Sequence, residues 1–474
     1  MKRKELVRVG AALLAAVVLT GCGSTAQNSV EPDNSQQSTA QSVMAQENAS
    51  ADAETDKSNE KVSDAQATGQ EEIVEIPILK DHVNEVMGCI IGAAATRSEL
   101  QDPKVWEIIT THFNALTFGN ELKPDCMFGY SNGKCPGTEE VELNGETILV
   151  PKMDFSRSEK MLDKVLKWNQ ENPDSPIMIR GHVLVWHSQT PEWFFHVDYD
   201  KQKDYVDKET MNKRLEWYIK TMLTHYTGED SKYKDMFYGW DVVNEAISDA
   251  TGTYRTDAEN PNEDLSQDTH GSNSSWWHVY QSNEYILNAF LYANKYAPAS
   301  LELYYNDYNE CEPKKMKGIC ELLTAVKELE GEPGVGTRIS AMGLQGHYNM
   351  STPTMDRLEL AVNTYGEIVG DVQITEFDLK ASDGYDGSDE AKEEEFKKEA
   401  SRYRILYLIL KNANKNDNGI RVTGITFWGT VDHYSWLQSR SNVGGGSKDN
   451  LPQCPLLFDE NYEPKPAFYV FAQE

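Results

Sequence analysis

The stretch Phe237-Tyr-Gly-Trp-Asp-Val-Val-Asn-Glu-Ala246 begins with residues that favour a buried β-strand and ends in an amide and a carboxylate. Such polar groups are costly to bury without partners, so this strand is expected to end at a polar site. Seven other runs repeat the short β-rich pattern, and stretches with helical periodicity separate several of them. The eight runs span residues 86–95, 113–122, 177–186, 237–246, 301–308, 339–348, 372–379 and 422–431.

Helical periodicity is clear in residues 157–169 and 392–411, where charged residues share one face and Leu, Ile, Tyr or Val the other. Eight strand–helix units in one continuous domain predict a (β/α)8 TIM barrel, whose active site collects at the carboxyl ends of the strands. The alternative is an open, doubly wound sheet, which needs a glycine-rich phosphate-binding turn near its first strand. Because Gly88-Cys-Ile-Ile-Gly92 is a poor match to such a turn, the barrel is favoured.

Polar and aromatic residues end seven of the eight runs. These ends are Gly119-Asn-Glu-Leu-Lys123, Arg180-Gly-His-Val-Leu-Val-Trp-His-Ser-Gln189, Trp240-Asp-Val-Val-Asn-Glu245, Tyr304-Tyr-Asn-Asp-Tyr308, Gln345-Gly-His347, Ile374-Thr-Glu-Phe-Asp378 and Phe427-Trp-Gly-Thr-Val-Asp-His-Tyr-Ser-Trp436. In a barrel they share one face, with Glu245 and Glu376 nearly opposite each other across the mouth. Two carboxylates placed in this way are the minimum equipment for splitting a glycosidic acetal.

Each of these residues also has a simpler interpretation. An Asn-Glu pair after a strand often caps a helix, a tryptophan near a strand end is more often part of the core, and His182 or His347 can be hydrogen-bonded scaffold. The catalytic interpretation depends on their occurrence together, because indole faces suit the C–H side of sugars and amides suit sugar hydroxyls.

The strand ends resemble those of glycoside hydrolase family 10, the barrel xylanases, from about Met87 to the C-terminus. The motifs that carry the resemblance are Arg180-Gly-His-Val-Leu-Val-Trp-His-Ser-Gln-Thr-Pro191, Trp240-Asp-Val-Val-Asn-Glu-Ala246, Ile374-Thr-Glu-Phe-Asp378 and Thr426-Phe-Trp-Gly429. The resemblance implies an endo-1,4-β-xylanase that cleaves internal bonds of xylan by a retaining double displacement. Such a pair of carboxyl groups lies about 5 to 5.5 Å apart.

The same resemblance implies roles for individual residues. Glu245 is expected to be the acid/base, Glu376 the nucleophile, and His347 the residue that orients the nucleophile. Expected substrate-binding residues are Asn120, Lys123, His182, Trp186, Gln189, Asn244, Tyr308, Gln345, Trp428 and Trp436. Asp241 and Asp378 resemble supporting carboxylates. There are two insertions. The first, 125–154, contains a hairpin-like Asn-Gly turn and has no assigned role. The second, 248–275, is rich in Asp, Asn, Ser and Thr, and it either shapes the aglycone side of the cleft or is a solvent-exposed loop.

Gly119 departs from the family pattern, in which many members have a glutamate before the asparagine of the second strand. One polar contact to the distal glycone sugar is therefore in doubt.

Charge and motifs exclude several other classes of function. A net charge of −31 repels nucleic acid phosphates and anionic lipid headgroups. No P-loop, HExxH or dinucleotide fingerprint occurs, so no cofactor or metal is expected; residues 260–268 are rich in Asp and Asn but lack EF-hand spacing for calcium. Among the seven cysteines, Cys126 with Cys135 and Cys311 with Cys320 are near enough for local bridges, and free thiols are slightly favoured.

The N-terminal segment is interpreted as a lipoprotein signal. Basic residues precede a short apolar run, and Leu19-Thr-Gly-Cys22 resembles a bacterial lipobox, so residues 1–21 are expected to be removed and Cys22 lipidated. An ordinary secretory signal is the alternative. Residues 22–75 read as a flexible acidic linker and 76–474 as the catalytic domain, anchored on the outer face of a bacterial membrane and facing the exterior or the periplasm.

Two other functions stay open at this point. The same fold and carboxylate pair can cleave β-1,4-glucan or an aryl glycoside, because glucose differs from xylose only by a hydroxymethyl group. A carbohydrate-binding lipoprotein that has lost catalysis would be expected to lack one or both glutamates, and both are present. The expected partners are xylan and xylo-oligosaccharides, with membrane contact through the lipid anchor only, and the protein is expected to be a monomer.

Overall fold

The structure, a computed structural model, describes residues 76–131, 133–263, 271–416, 418–439 and 451–474. The predicted signal 1–21, Cys22 and the whole of the linker to residue 75 lie outside the described residues, as does part of the candidate calcium segment, 264–268.

Strands alternate with helices along the described chain. The strands are β1 Ile90–Ala95, β2 Ala115–Phe118, β3 Thr138–Leu143, β4 Glu146–Pro151, β5 Met178–Gly181, β6 Val185–Trp186, β7 Phe237–Asn244, β8 Glu302–Asp307, β9 Ala341–Leu344, β10 His347–Asn349, β11 Asp371–Lys380 and β12 Arg421–Phe427. The α-helices are α1 Leu79–Met87, α2 Pro103–His112, α3 Pro124–Met127, α4 Ser156–Glu171, α5 Lys208–Thr227, α6 Ser275–Tyr280, α7 Glu284–Tyr296, α8 Pro313–Lys327, α9 Met355–Val369, α10 Asp389–Ala413 and α11 Pro466–Gln473.

Eight parallel strands close into a barrel in the order β1, β2, β5, β7, β8, β9, β11 and β12. The ring closes where β12 pairs with β1, with Gly92 opposite Thr426. Each barrel strand coincides with one of the eight runs, so the predicted (β/α)8 barrel is confirmed and the open sheet is excluded. The predicted helices 157–169 and 392–411 are α4 and α10.

The barrel interior is filled by side chains that need small neighbours. A Cβ on Gly181 would lie 2.1 Å from the Trp240 ring, and a Cβ on Gly343 would lie 2.4 Å from Asn306 Oδ1. Glycine at these positions therefore makes room for large or polar side chains from the neighbouring strands.

Aromatic residues fill the space between the barrel and the C-terminal helices. Phe377 on β11 is buried, stacks on Phe427 at 5.6 Å between ring centroids, and meets Tyr403 of α10 edge-on at 4.9 Å. Phe471 of α11 packs against the same rings. This packing holds the end of β11, and with it Glu376, in place.

The insertion at 125–154 contains the predicted hairpin. Strands β3 and β4 pair antiparallel, and Asn144 and Gly145 between them have φ values of +53° and +84°. Two successive positive φ values are typical of the tight hairpin turn that Asn-Gly favours. The six described cysteines, Cys89, Cys126, Cys135, Cys311, Cys320 and Cys454, are free thiols, so neither local bridge forms. Across the described part of the chain, no helix is both long and apolar enough to cross a membrane.

Candidate active site

The carboxyl ends of the barrel strands bring together the residues that the sequence singled out. Half-buried at the mouth are Asn120, Trp186, Gln189, Glu245, Tyr308, His347, Trp428 and Trp436. Buried just below them are Lys123, His182, Asn244, Gln345 and Glu376. The half-buried set leaves a polar and aromatic surface open to a ligand, and the buried set supports it.

Glu376, near the middle of β11, is buried, with 5% of its surface exposed. Its Oε1 accepts a hydrogen bond from Asn306 Nδ2 at 2.8 Å, and its Oε2 lies 3.2 Å from His347 Nε2. Burial raises the pKa of Glu376, but the His347 hydrogen bond and the charges of His182, His347 and Lys123 outweigh burial. The pKa therefore lies below its ordinary value, and Glu376 is ionised at neutral pH.

His347 lies between two carboxylates. Its Nδ1 is 2.9 Å from Asp378 Oδ1, while Trp436 Nε1 donates to Asp378 Oδ2 at 2.7 Å. Burial lowers the pKa of His347, but Asp378 and Glu376 outweigh that effect and raise it to about 10. The ring is therefore an imidazolium at neutral pH, with both N–H groups engaged, and it fixes the Glu376 carboxylate both electrostatically and in direction.

Glu245 follows the last residue of β7, and its side chain is reached by three donors. Its Oε2 accepts from Trp186 Nε1 at 2.9 Å, and its Oε1 accepts from Asn244 Nδ2 at 3.0 Å and Gln345 Nε2 at 2.9 Å. Its φ is +56°, a left-handed conformation that few non-glycine residues adopt. Such strain costs about 1–3 kcal/mol and is commonly found at functional sites.

Two amide side chains connect the carboxylates. Asn306 Nδ2 donates both to Glu376 Oε1 and, at 2.9 Å, to Asn244 Oδ1, and Asn244 Nδ2 donates to Glu245. The Thr375 hydroxyl donates to Asn306 Oδ1 at 2.6 Å, which fixes which end of the amide faces Glu376. The sequence analysis did not assign Asn306 a role, although it lies in one of the polar strand ends.

Lys123 contacts polar and aromatic residues at the ends of β2 and β6. Its Nζ donates to Asn120 Oδ1 at 3.2 Å and to Gln189 Oε1 at 3.0 Å, and it lies 5.1 Å from the centre of the Trp186 ring. Burial lowers the pKa of Lys123, although Glu376 and other carboxylates oppose that effect. This group offers amides, an ammonium and an indole face, which suit a sugar ring with several hydroxyls.

His182 and Trp428 form a further aromatic part of the site. His182 Nδ1 is 2.9 Å from Asp241 Oδ2, and Asp241 is also held by Arg180, whose Nη2 lies 2.5 Å from Asp241 Oδ1. The Trp428 ring meets the rings of His182 and His347 edge-on, at 5.6 and 6.3 Å between centroids. Asp241 thus fixes the His182 ring, as Asp378 fixes the His347 ring.

Tyr308 contacts two basic side chains. Its hydroxyl lies 3.4 Å from Arg255 Nη2, and Lys315 Nζ lies 4.0 Å from the centre of its ring. Arg255 also hydrogen-bonds the Glu245 backbone, so it connects Tyr308 with the residue that carries this carboxylate. Arg255 was not predicted because it lies in the polar insertion 248–275, where composition gives no sign that one side chain turns inward.

The arrangement supports chemistry by two carboxylates of different character. Glu376 is held ionised between donors, and Glu245 is half-buried at the edge of the mouth. One can attack a carbon while the other transfers a proton, and neither step needs a metal. Among the described residues, no group of three or more His, Cys, Asp or Glu side chains has the geometry to hold a metal ion.

Comparison with protein-family models matches residues 79–474 to the glycosyl hydrolase family 10 model. The chain belongs to glycosyl hydrolase family 10. The resemblance inferred from the strand-end motifs is therefore confirmed.

Curated relatives resemble this chain over most of its length. The endo-1,4-β-xylanase A of Thermotoga maritima is 33% identical over 399 residues, 84% of this chain but 30% of that protein. The β-1,4-xylanase of Dictyoglomus thermophilum is 30% identical over 402 residues, 84% of this chain and 90% of that protein. The chain thus spans less than a third of the Thermotoga relative.

A solved family 10 structure also shares the fold. It comprises the CBM22-1 and GH10 modules of Clostridium thermocellum endo-1,4-β-D-xylanase 10B complexed with xylohexaose. It superposes with a TM-score of 0.65 at 29% identity, covering 84% of this chain and 67% of that one.

Proposed function

We propose that this protein is an endo-1,4-β-xylanase that cleaves internal β-1,4-xylosidic bonds of xylan with retention of configuration. The observation that carries the proposal is the pair Glu245, directly after β7, and Glu376, on β11, joined through the amides of Asn244 and Asn306. Family membership and the xylanase names of the relatives support the choice of substrate.

In the first step, Glu376 attacks the anomeric carbon of a xylosyl unit while Glu245 gives its proton to the departing glycosidic oxygen. The C–O bond to the aglycone breaks, and a glycosyl ester forms on Glu376. In the second step, Glu245 takes a proton from water, the resulting oxygen attacks the anomeric carbon, and Glu376 leaves as a carboxylate. Two inversions give net retention.

The residues around Glu376 suit its role as the nucleophile in the first of these steps. The His347 imidazolium and the ammonium of Lys123 keep the attacking group ionised, and the hydrogen bonds from His347 and Asn306 fix its direction. Fixing the direction of the carboxylate raises the rate of attack, because the reacting atoms must approach within about 3–3.5 Å along one line.

Sugar recognition is assigned to the ten substrate-binding residues inferred from the sequence. The indoles of Trp186, Trp428 and Trp436 offer apolar faces, and Asn120, Lys123 and Gln189 offer polar atoms around them. Two solved relatives were complexed with xylohexaose and xylotriose, which supports a chain of xylose units as ligand. The room near Gln189, Trp428 and Trp436 decides whether a hydroxymethyl group is tolerated.

The test is reducing-sugar release from glucuronoarabinoxylan and from carboxymethylcellulose. We expect release from xylan, loss of that release in Glu376→Gln and Glu245→Gln, and little release from the cellulose derivative. Glu216→Gln is the matched control, because Glu216 is a buried glutamate on the outer helix α5. Preferential cleavage of the cellulose derivative would make the enzyme a glucanase instead.

We also propose that the chain is exported and held on the outer face of a bacterial membrane by a lipid on Cys22, with residues 22–75 as a flexible linker to the catalytic domain. The basic residues, apolar run and lipobox-like Leu19-Thr-Gly-Cys22 support this proposal. Two acyl chains on one cysteine are enough for stable anchoring.

A further inference from the structure

The backbone of Glu245 is held in its left-handed conformation from two sides. On the side of β8, its N–H donates to the Asn306 carbonyl at 2.9 Å, and the N–H of Ala246 donates to the Tyr305 hydroxyl at 3.0 Å. On the other side, its carbonyl oxygen accepts from Arg255 Nε at 2.9 Å. The third contact comes from the insertion 248–275, not from the barrel.

Arg255 is built into this place. Only 4% of its surface is exposed, and its Nη1 donates to the Ser272 carbonyl at 3.1 Å. Its Nη2 lies 3.5 Å from the Ile247 carbonyl and 3.4 Å from the Tyr308 hydroxyl. A planar guanidinium presents its donors in a fixed fork, so these acceptors define the position of the Nε–H that reaches Glu245.

The acceptor at Ser272 is itself fixed. The Glu263 carboxylate accepts from the backbone N–H groups of Gly271, Ser272 and Asn273. The Asn273 side chain exchanges two hydrogen bonds of 2.9 Å with the backbone of Asn260. Arg255 therefore connects the acid/base to anchored parts of the insertion on both sides of residues 264–270.

On the basis of the proposed xylanase function, we propose that Arg255 is a positioning residue for the acid/base, and that insertion 248–275 contributes to catalysis through it. Holding the Glu245 carbonyl fixes the φ and ψ angles of Glu245, and these set the direction of its side chain. Proton transfer needs the carboxyl within hydrogen-bond reach of the glycosidic oxygen. A displacement of about 1 Å is enough to cost about 100-fold in rate.

The test measures kcat/KM of the wild-type protein and of Arg255→Met on two aryl β-xylobiosides, one with a phenol and one with a 2,4-dinitrophenol leaving group. A phenolate leaving group needs the proton from Glu245, whereas 2,4-dinitrophenolate leaves without it. Because kcat/KM reports the step that releases the phenol, we expect it to fall about 30- to 100-fold for the phenyl glycoside and less than about 3-fold for the dinitrophenyl glycoside. Equal losses on both substrates, or no loss on either, would overturn the proposal.

Two further variants sharpen the comparison. Arg255→Lys keeps the positive charge but not the planar set of donors, so we expect the same larger loss of kcat/KM on the phenyl glycoside than on the dinitrophenyl glycoside. This variant serves as the test if Arg255→Met does not fold. Arg338→Met is the matched control. Like Arg255, Arg338 donates to backbone carbonyls, in its case those of Leu301 and Pro298, but it lies before β9, at the opposite end of the barrel. It is expected to affect both substrates alike. Wild-type protein that cleaves neither glycoside nor xylan would refute the proposed function itself.

Discussion

Replacing His347 with glutamine tests how the site keeps Glu376 ready to attack. Glutamine keeps an amide donor near Glu376 but carries no charge, whereas His347 carries a proton held by Asp378 and Glu376. With the imidazolium gone, burial acts on Glu376 with less opposition, so the pKa of Glu376 rises. Because Glu376 must be ionised to attack, the acid limb of kcat/KM moves to higher pH.

The magnitude follows from the pKa of His347, which is about 10. A free histidine has a pKa of about 6.5, and each pKa unit corresponds to about 1.4 kcal/mol, so the two carboxylates stabilise the imidazolium by about 5 kcal/mol net of burial. Asp378 is the larger contributor. If roughly a third of this stabilisation comes from Glu376, its loss is worth about 1–2 kcal/mol, and the acid limb of kcat/KM is expected to move up by about one pH unit.

The assay is the pH dependence of kcat/KM on an aryl β-xylobioside, with His225→Gln as control. His225 on α5 lies 3.2 Å from Glu159 Oε1, so it pairs with a carboxylate outside the barrel mouth. We expect the control to keep the wild-type profile. An acid limb that stays in place in His347→Gln would refute the electrostatic role of the imidazolium.

The pH dependence of thermal stability tests the same interaction independently of activity. The pKa of His347 is raised above its unfolded value, so the stability it contributes is fully present below about pH 6.5 and is lost as the pH rises through about 10. The difference in Tm between wild type and His347→Gln should therefore narrow across that window. A constant difference would contradict the assignment of charge.

Three further changes test other parts of the account. Gly343→Ala places a Cβ 2.4 Å from Asn306 Oδ1, so the amide that holds Glu376 must move, and kcat on xylan should fall about 10- to 100-fold. Lys465→Met removes the cation from a buried cluster with two carboxylates and should lower the free energy of unfolding in urea by about 3–5 kcal/mol. Cys22→Ala should move the exported protein from the membrane fraction to the soluble fraction, which a fractionation blot measures; membrane retention would contradict the proposed lipid anchor.

Much of the fold could be predicted because a (β/α)8 barrel repeats a simple pattern. All eight runs became barrel strands, but two of them are broken in the structure. Residues 177–186 form β5 and β6, and residues 339–348 contribute β9 and the start of β10. The second break lies at Gly346, whose φ is +80°. Periodicity shows that a segment is extended but does not show where the backbone turns within it.

The residues at the mouth could be predicted because polar side chains at strand ends stand out against apolar strands. Asn306 and Arg255 could not be assigned roles, since their importance lies in contacts between distant parts of the chain. Asn306 acts through Glu376, 70 residues away, and Arg255 through the carbonyl of Glu245. Neither pairing leaves a pattern in composition or spacing.

Double displacement by Glu376 and Glu245 retains the configuration of the anomeric carbon. The most direct measurement follows the anomeric protons of the first products from xylan by NMR, in the wild-type protein and in Glu376→Gln. The new reducing ends are expected to appear first as the β anomer and then to mutarotate, and the variant is expected to release none. An initial α anomer would contradict the retaining mechanism, and undiminished release by Glu376→Gln would contradict the assignment of the nucleophile.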